Sequence, residues 1–220
     1  MASKRRHLGR GRPKGVFRPR KKRYLIVTNG EVTERQYFDG LEEELGGVVF
    51  TAHSFRADPA ALAKTARDLK RSEERGSASD GRSGTDGFQH VFVVTDVDRF
   101  TPAQLQEARR ICRESGMELV ISNPCFEVWL IDHLMRCPDS FVTARDVERK
   151  ATDLGVVGGS RNKHVNYQVL KGRCAEACAN ARAHNSSDRG CMRTRLDDLH
   201  FGPWTDMPDL IDRIARHKRV

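Results

Sequence analysis

Short apolar runs alternate with segments of helical periodicity along the first 135 residues of the chain. Tyr24 to Thr28 (YLIVT) reads as a strand, and Thr33 to Leu45 follows with Tyr37, Phe38, Leu41 and Leu45 on one stripe, the spacing of a helix that Gly46-Gly47 stops. Val48 to Phe55 predicts a second strand. Asp58-Pro59 then supplies a cap and a first-turn proline for a helix reaching about Arg75. Residues 76–87, GSASDGRSGTDG, are polar and glycine-rich and predict a loop. His90 to Thr95, with VFVV at its centre, predicts a strand covered on both faces. Thr101-Pro102 opens a helix ending near Ser115-Gly116, and Met117 to Ile121 predicts a fourth strand.

Repeated strand-then-helix units imply a parallel sheet with right-handed crossovers and helices on both faces. The expected core is therefore a Rossmann-like, four-stranded parallel α/β unit over residues 23–136. Pro124 to Met135 predicts a further helix with Asn123 as its cap. Beyond Cys137 the pattern turns helical, at about 143–153, 166–184 and 207–217, so residues 137–220 are expected to form a helical extension packed on the core.

Composition changes this picture at one place. The chain has 220 residues and a formal net charge of +9, but eleven of its 39 Lys and Arg lie in residues 1–23, which contain no acid. The remainder carries 28 basic against 30 acidic groups. Residues 1–22 have almost nothing to bury and predict a disordered cationic arm, suited to salt-sensitive, sequence-independent contact with nucleic acid. A solubilising leader is the alternative. Lys21, Lys22 and Arg23 close that arm and are its candidate nucleic-acid contacts nearest the core. No apolar run approaches the roughly 20 residues that cross a bilayer, and no apolar segment follows the basic start; a soluble, cytoplasmic protein without membrane contact is the expectation. The six cysteines, at 112, 125, 137, 174, 178 and 191, include no CxxC pair and read as free thiols. A zinc set of Cys174, Cys178, His184 and Cys191 has irregular spacing and is disfavoured.

In an open parallel sheet, ligands meet the carboxyl ends of the strands. Strand one ends at Asn29-Gly30-Glu31, strand three at Asp96-Val97-Asp98 and strand four at Ser122-Asn123. Asp96 and Asp98, two apart in extended chain, have side chains on one side and suit a hard cation such as Mg²⁺, or Mn²⁺, with Glu31 or Glu34 arriving from the neighbouring strand end. Ordinary capping aspartates are the alternative. A haloacid-dehalogenase-like phosphatase would need its aspartates on the first strand and a Thr or Val where Phe100 stands. The segment PCFEVWLIDHLM leaves no broad polar face and predicts burial, which makes Glu127 and His133 costly unless partnered. They lie about 120° apart around a helix. Glu127, near the carboxyl edge, is the functional candidate, and His133 reads as a satisfied core histidine.

Three stretches in order, NGEVTERQYF, VFVVTDVDRF and SNPCFEVWLIDH, together resemble the RloB family of bacterial phage-defence and abortive-infection proteins over about residues 22–136. The resemblance implies a Toprim-like fold, in which a glutamate after the first strand and a later DxD handle Mg²⁺ and phosphodiesters. By that likeness Asp96 and Asp98 are metal carboxylates, with Glu31 as a further ligand, and Glu31, Glu34 and Glu127 are motif positions with catalytic roles. It implies a Mg²⁺-dependent nuclease acting on DNA or RNA, or a weakly active nucleic-acid-binding module working with an ATPase encoded nearby; a homo-oligomer fits either. One departure stands out. Where the family places a glutamate before the turn glycine, this chain has Asn29, and an amide neither accepts a proton nor supplies charge as a carboxylate does. Glu31 or Glu34 is expected to take that role, and Asn29 also suits a turn. Lys163, in SRNKHVNY, reads as a phosphate contact or as a solvated loop lysine.

Overall fold

The computed structural model describes residues 21–79, 87–97, 99–185, 196 and 202–216. The arm expected at residues 1–22 falls almost wholly outside them, as do Asp98 and Cys191. Five strands form the main sheet: β1 (Lys22–Thr28), β2 (Val48–Ser54), β3 (His90–Asp96), β4 (Glu118–Asn123) and β7 (Trp204–Thr205), in the order β2-β1-β3-β4-β7. The first four are mutually parallel, while β7 runs antiparallel to β4 through Ser122↔Thr205 and Asn123↔Trp204. The expected four-stranded, all-parallel sheet is thus corrected to five strands and a mixed sheet. Two residues are too short to show a period, which is why β7 left no signal in the chain.

Period-two alternation divides β1 and β3 between two cores, and a smaller third cluster joins Val97, Leu105, Ile121 and Trp204. Leu25, Val27, Val91 and Val93 pack on α2 (Pro59–Ser79) and α3 (Pro102–Glu114) through Leu62, Ala63, Ala66, Ala108 and Ile111. Tyr24, Ile26, Phe92, Val94 and Val120 face the other way, onto Tyr37, Phe38 and Leu41 of α1 (Thr33–Leu45) and the wholly buried Trp129 of α4 (Glu127–Asp132). This second core continues into the extension, taking in Val147 and Ala151 of α5 (Ala144–Asp153), Leu170 of α6 (Tyr167–Leu170), Ala177 and Ala181 of α7 (Cys174–Asn185), and Met207 and Leu210 of α8 (Met207–Arg216). Between α5 and α6 a small hairpin pairs β5 (Val157–Gly158) with β6 (His164–Val165).

Local signals explain most element ends. Asp58 Oδ1 accepts the backbone N–H groups of Ala60 and Ala61, and Thr101 with Gln104 forms a reciprocal capping box at α3. Elsewhere the chain departs from its periodicity. α2 runs on to Ser79, into the stretch expected to be a loop. The helix expected over 166–184 is two, because Gly172 adopts φ +79° between them and its N–H donates to the Glu44 carboxylate. The apolar segment starting at Pro124 becomes regular helix only from Glu127, after Phe126 rather than Asn123. Among the described residues no helix is long and apolar enough to cross a membrane.

Candidate active site at the carboxyl edge of the sheet

A cleft of about 870 Å³ opens where β1 and β3 end, lined by Asn29, Glu31, Glu34, Asp96, Glu127 and Lys163 among others. Its floor is acidic and buried. Glu34, in the first turn of α1, folds back over the β1–α1 turn, so that a Cβ on Gly30 would fall within 2.1 Å of its carboxyl group. Only glycine admits that approach. Thr28 Oγ1 donates to the Gly30 carbonyl at 2.7 Å and helps shape the turn. Glu34 is 4% exposed. Burial pushes its pKa up to about 7; the Glu127 charge adds to the rise, while backbone N–H donors and the Lys163 ammonium oppose it.

Glu127 stands at the start of α4, 3% exposed. Lys163 Nζ reaches its Oε1 at 3.1 Å and Glu148 Oε1, from α5, at 2.7 Å. Burial alone would lower the Lys163 pKa, but the two carboxylates outweigh it and hold the ammonium above its ordinary range. Lys163 is therefore committed to a pair of acids, not a solvated loop lysine. The hairpin that carries it is fastened to α1. Thr33 Oγ1 donates to the Lys163 carbonyl at 3.0 Å, Gln36 Oε1 accepts Val165 N–H at 2.8 Å, and Gln36 Nε2 lies 3.1 Å from His164 Nδ1. The TERQ stretch thus contributes one acid to the floor and two clamps for the facing wall.

The remaining candidates divide by position. Asp96, half-buried at the end of β3, lines the same cleft, and its charge together with that of Glu127 adds to the burial that raises the Cys125 thiol. Asp98 lies outside the described residues. Glu31 sits at the mouth, bonded to Arg56 Nη2 at 2.6 Å with both side chains largely exposed. Asn29 lines the cleft, and its buried Oδ1 accepts no hydrogen bond among the described residues, so this oxygen makes no bond that would stabilise the turn. Lys21, Lys22 and Arg23 lie at the other end of β1, about 20 Å along the strand. There Arg23 pairs with Glu73 and rests 4.8 Å over the Phe88 ring. A smaller hollow at that amino edge, about 420 Å³, holds Glu118, already bonded to Arg213 at 2.9 Å.

Other sequence candidates resolve as structure. His133 Nδ1 lies 2.9 Å from the Trp129 carbonyl, and burial pushes its pKa down to about 4, the behaviour of a neutral core histidine. His184 is bonded through Nε2 to Asp132 at 2.9 Å, which takes it out of a zinc set with Cys174 and Cys178. Among the described residues no three His, Cys, Asp or Glu converge as a metal cluster. Sequence reasoning missed Thr33 and Gln36, whose spacing in the first turn of α1 places them beside Glu34, and it missed Glu148, which carries no local signal. It also passed over the cleft-lining arginines 56, 99 and 161.

No curated protein and no solved structure matches the chain. Residues 24–214 match the family model described as RloB, RloB-like protein, a span reaching from β1 through the fifth strand into α8. The chain belongs to the RloB-like family.

Proposed function

We propose that this chain is a metal-dependent nuclease with a Toprim-like core, cutting phosphodiester bonds of DNA or RNA in bacterial antiviral defence. One observation carries the reading: Glu34 and Glu127, two nearly inaccessible carboxylates, line one cleft at the carboxyl edge of the parallel strands, near enough for the Glu127 charge to raise the Glu34 pKa. Burying acids side by side destabilises a fold, so such a pair marks a site where charge is used. The donor set fits a hard divalent cation, since the cleft offers carboxylate oxygens and Mg²⁺ or Mn²⁺ needs only one or two of them beside water and substrate phosphate. Asp96 and Asp98 would hold it, with Glu31 at the mouth as a further oxygen donor. Such an ion, when bound, neutralises charge on the phosphoryl oxygens and favours ionisation of water.

The chain's own groups supply the rest. Glu34, with a pKa near neutrality, can take a proton from water or return one to a leaving oxygen. It is a better replacement for the glutamate missing at Asn29 than Glu31, whose charge is answered by Arg56. Lys163 holds the Glu127 carboxylate in place at 3.1 Å.

Incubating the purified chain with plasmid, single-stranded DNA and total tRNA, with Mg²⁺, Mn²⁺ or EDTA, tests this directly. Metal-dependent cleavage should vanish in Asp96→Ala and fall about 10²- to 10⁴-fold in Glu34→Gln. Cleavage that survives Asp96→Ala, or intact substrates under every condition, overturns it. Asn29 favours a second reading, a regulatory module that binds nucleic acid alongside an ATPase partner; substrates retarded on a gel yet uncut with that partner present would select it.

A further inference from the structure

The cleft floor is acidic, whereas its rim carries guanidinium groups from three separate segments. Arg56 follows β2, Arg99 follows β3, and Arg161 stands at the tip of the β5–β6 hairpin, all of them exposed. Arg161 adopts φ +56°, in the left-handed region that non-glycine residues seldom enter, between Gly159 at +69° and Asn162 at +53°. Lys163, two residues on, is occupied by Glu127 and Glu148, whereas Arg161 is held by no carboxylate among the described residues. Arg56 keeps further donors beyond the one given to Glu31. Beside Arg99, the half-buried Phe100 packs on one side against the cluster of Val97, Leu105, Ile121 and Trp204 and also lines the cleft.

Shape narrows what this rim can hold. A volume of about 870 Å³ lies within the range of roughly 300–1,000 Å³ typical of small-ligand sites, enough for a few nucleotides. The carboxylates at its floor are 3–4% exposed, so a phosphodiester must dip inward to approach them. A duplex, stiff over about 150 base pairs, must be bent at a cost to do so. An unpaired strand avoids that cost, and cations joined to an aromatic face are the means by which proteins hold one.

We propose that the cleft takes an unpaired nucleic-acid strand, with Arg56, Arg99 and Arg161 gripping backbone phosphates around the acidic floor and Phe100 stacking a base. This rests on the nuclease reading, which puts a phosphodiester at that floor, and it specifies the substrate class. Fluorescence anisotropy in EDTA, with the full chain and a short oligonucleotide offered unpaired or as a duplex, separates the two ideas because no cleavage is involved. The unpaired form should bind about tenfold tighter. Arg161→Ala should weaken that form about fivefold or more and leave the duplex unchanged, with Arg161→Lys recovering part of the loss. Phe100→Leu keeps apolar bulk and removes the stacking face, and should cost about tenfold on the unpaired strand alone. Equal affinity for the two forms, or unpaired-strand binding untouched by both Arg161→Ala and Phe100→Leu, overturns the proposal even if Asp96-dependent cleavage stands. Selective binding without any cleavage would retain the strand site and discard the nuclease.

Discussion

Helix α4 carries a buried carboxylate at each end, and the two have opposite surroundings. Glu127, at its start, opens onto the cleft, answers a half-exposed lysine and shares its space with Glu34. Asp132, at its finish, is sealed: Oδ1 accepts the Cys137 N–H at 3.1 Å and lies 2.9 Å from His184 Nε2, and the Asp132 carbonyl accepts from Asn180. Burial raises the Asp132 pKa although His184 works against the rise. Burial of an acid therefore does not by itself mark a site. What separates the ends is access and crowding: one acid has a cleft, a like-charged neighbour and a shared cation, while the other is shut in, its Oδ1 held by Cys137 and His184 so as to pin α7 to α4 and its buried Oδ2 without a hydrogen bond among the described residues.

The largest expected effect tests that contrast through stability. Asp132→Ala strands His184 in the core and should cost about 3–5 kcal/mol in urea unfolding, the usual penalty for removing one member of a buried pair. Glu127→Gln leaves Lys163 with Glu148 and should cost about 1 kcal/mol. Equal losses would break the distinction between the enclosed acid and the cleft-facing one.

A second effect sharpens it through pH. The Glu34 pKa is about 7 in the folded chain against 4.5 ordinarily, so between those values the folded state keeps a proton that the unfolded state has released. Stability then falls as pH rises through this window, by about 3 kcal/mol in full. His133 acts in the other direction, its pKa lowered from 6.5 to about 4, so that stability is lost as pH falls through that range. The difference between Glu34→Gln and the parent chain cancels the histidine. It should grow from near zero below pH 4.5 to about 3 kcal/mol in favour of the variant above pH 7. A pH-independent difference would mean that Glu34 is not the strained acid of the floor.

These contrasts also mark how far the chain could be read unaided. The four parallel strands and α1, α2 and α3 were legible because each spans enough residues to display a period and ends on a recognisable cap or glycine. β7 has two residues and owes its existence to Ser122 and Asn123, more than eighty positions away. At the site, Glu34, Asp96 and Glu127 were legible from strand-end position and from the cost of an acid in an apolar helix. That Lys163 serves Glu127 was not, since its bonds span 36 and 15 residues and depend on how the extension packs. Gly30 was visible only as a turn former, while its closest constraint is the Glu34 carboxyl lying over it.

The smallest expected effect concerns the wall that faces those acids. The hairpin bearing Lys163 and Arg161 has one two-residue strand pairing and is tied to α1 by Thr33 and Gln36, whereas the Asp132 end of α4 is enclosed on every side. Gln36 is half-exposed, so Gln36→Ala should lower global stability by only about 1 kcal/mol. Its local consequence is larger. The Val165 N–H loses its acceptor, and amide exchange there should quicken while the Cys137 N–H, bonded to Asp132, exchanges as before. A cleft wall that opens independently of the core suits the proposed entry of a nucleic-acid strand. If the two amides instead quicken together, the hairpin and the sealed acid belong to one cooperative unit, and the open end of α4 is as rigid as the closed one.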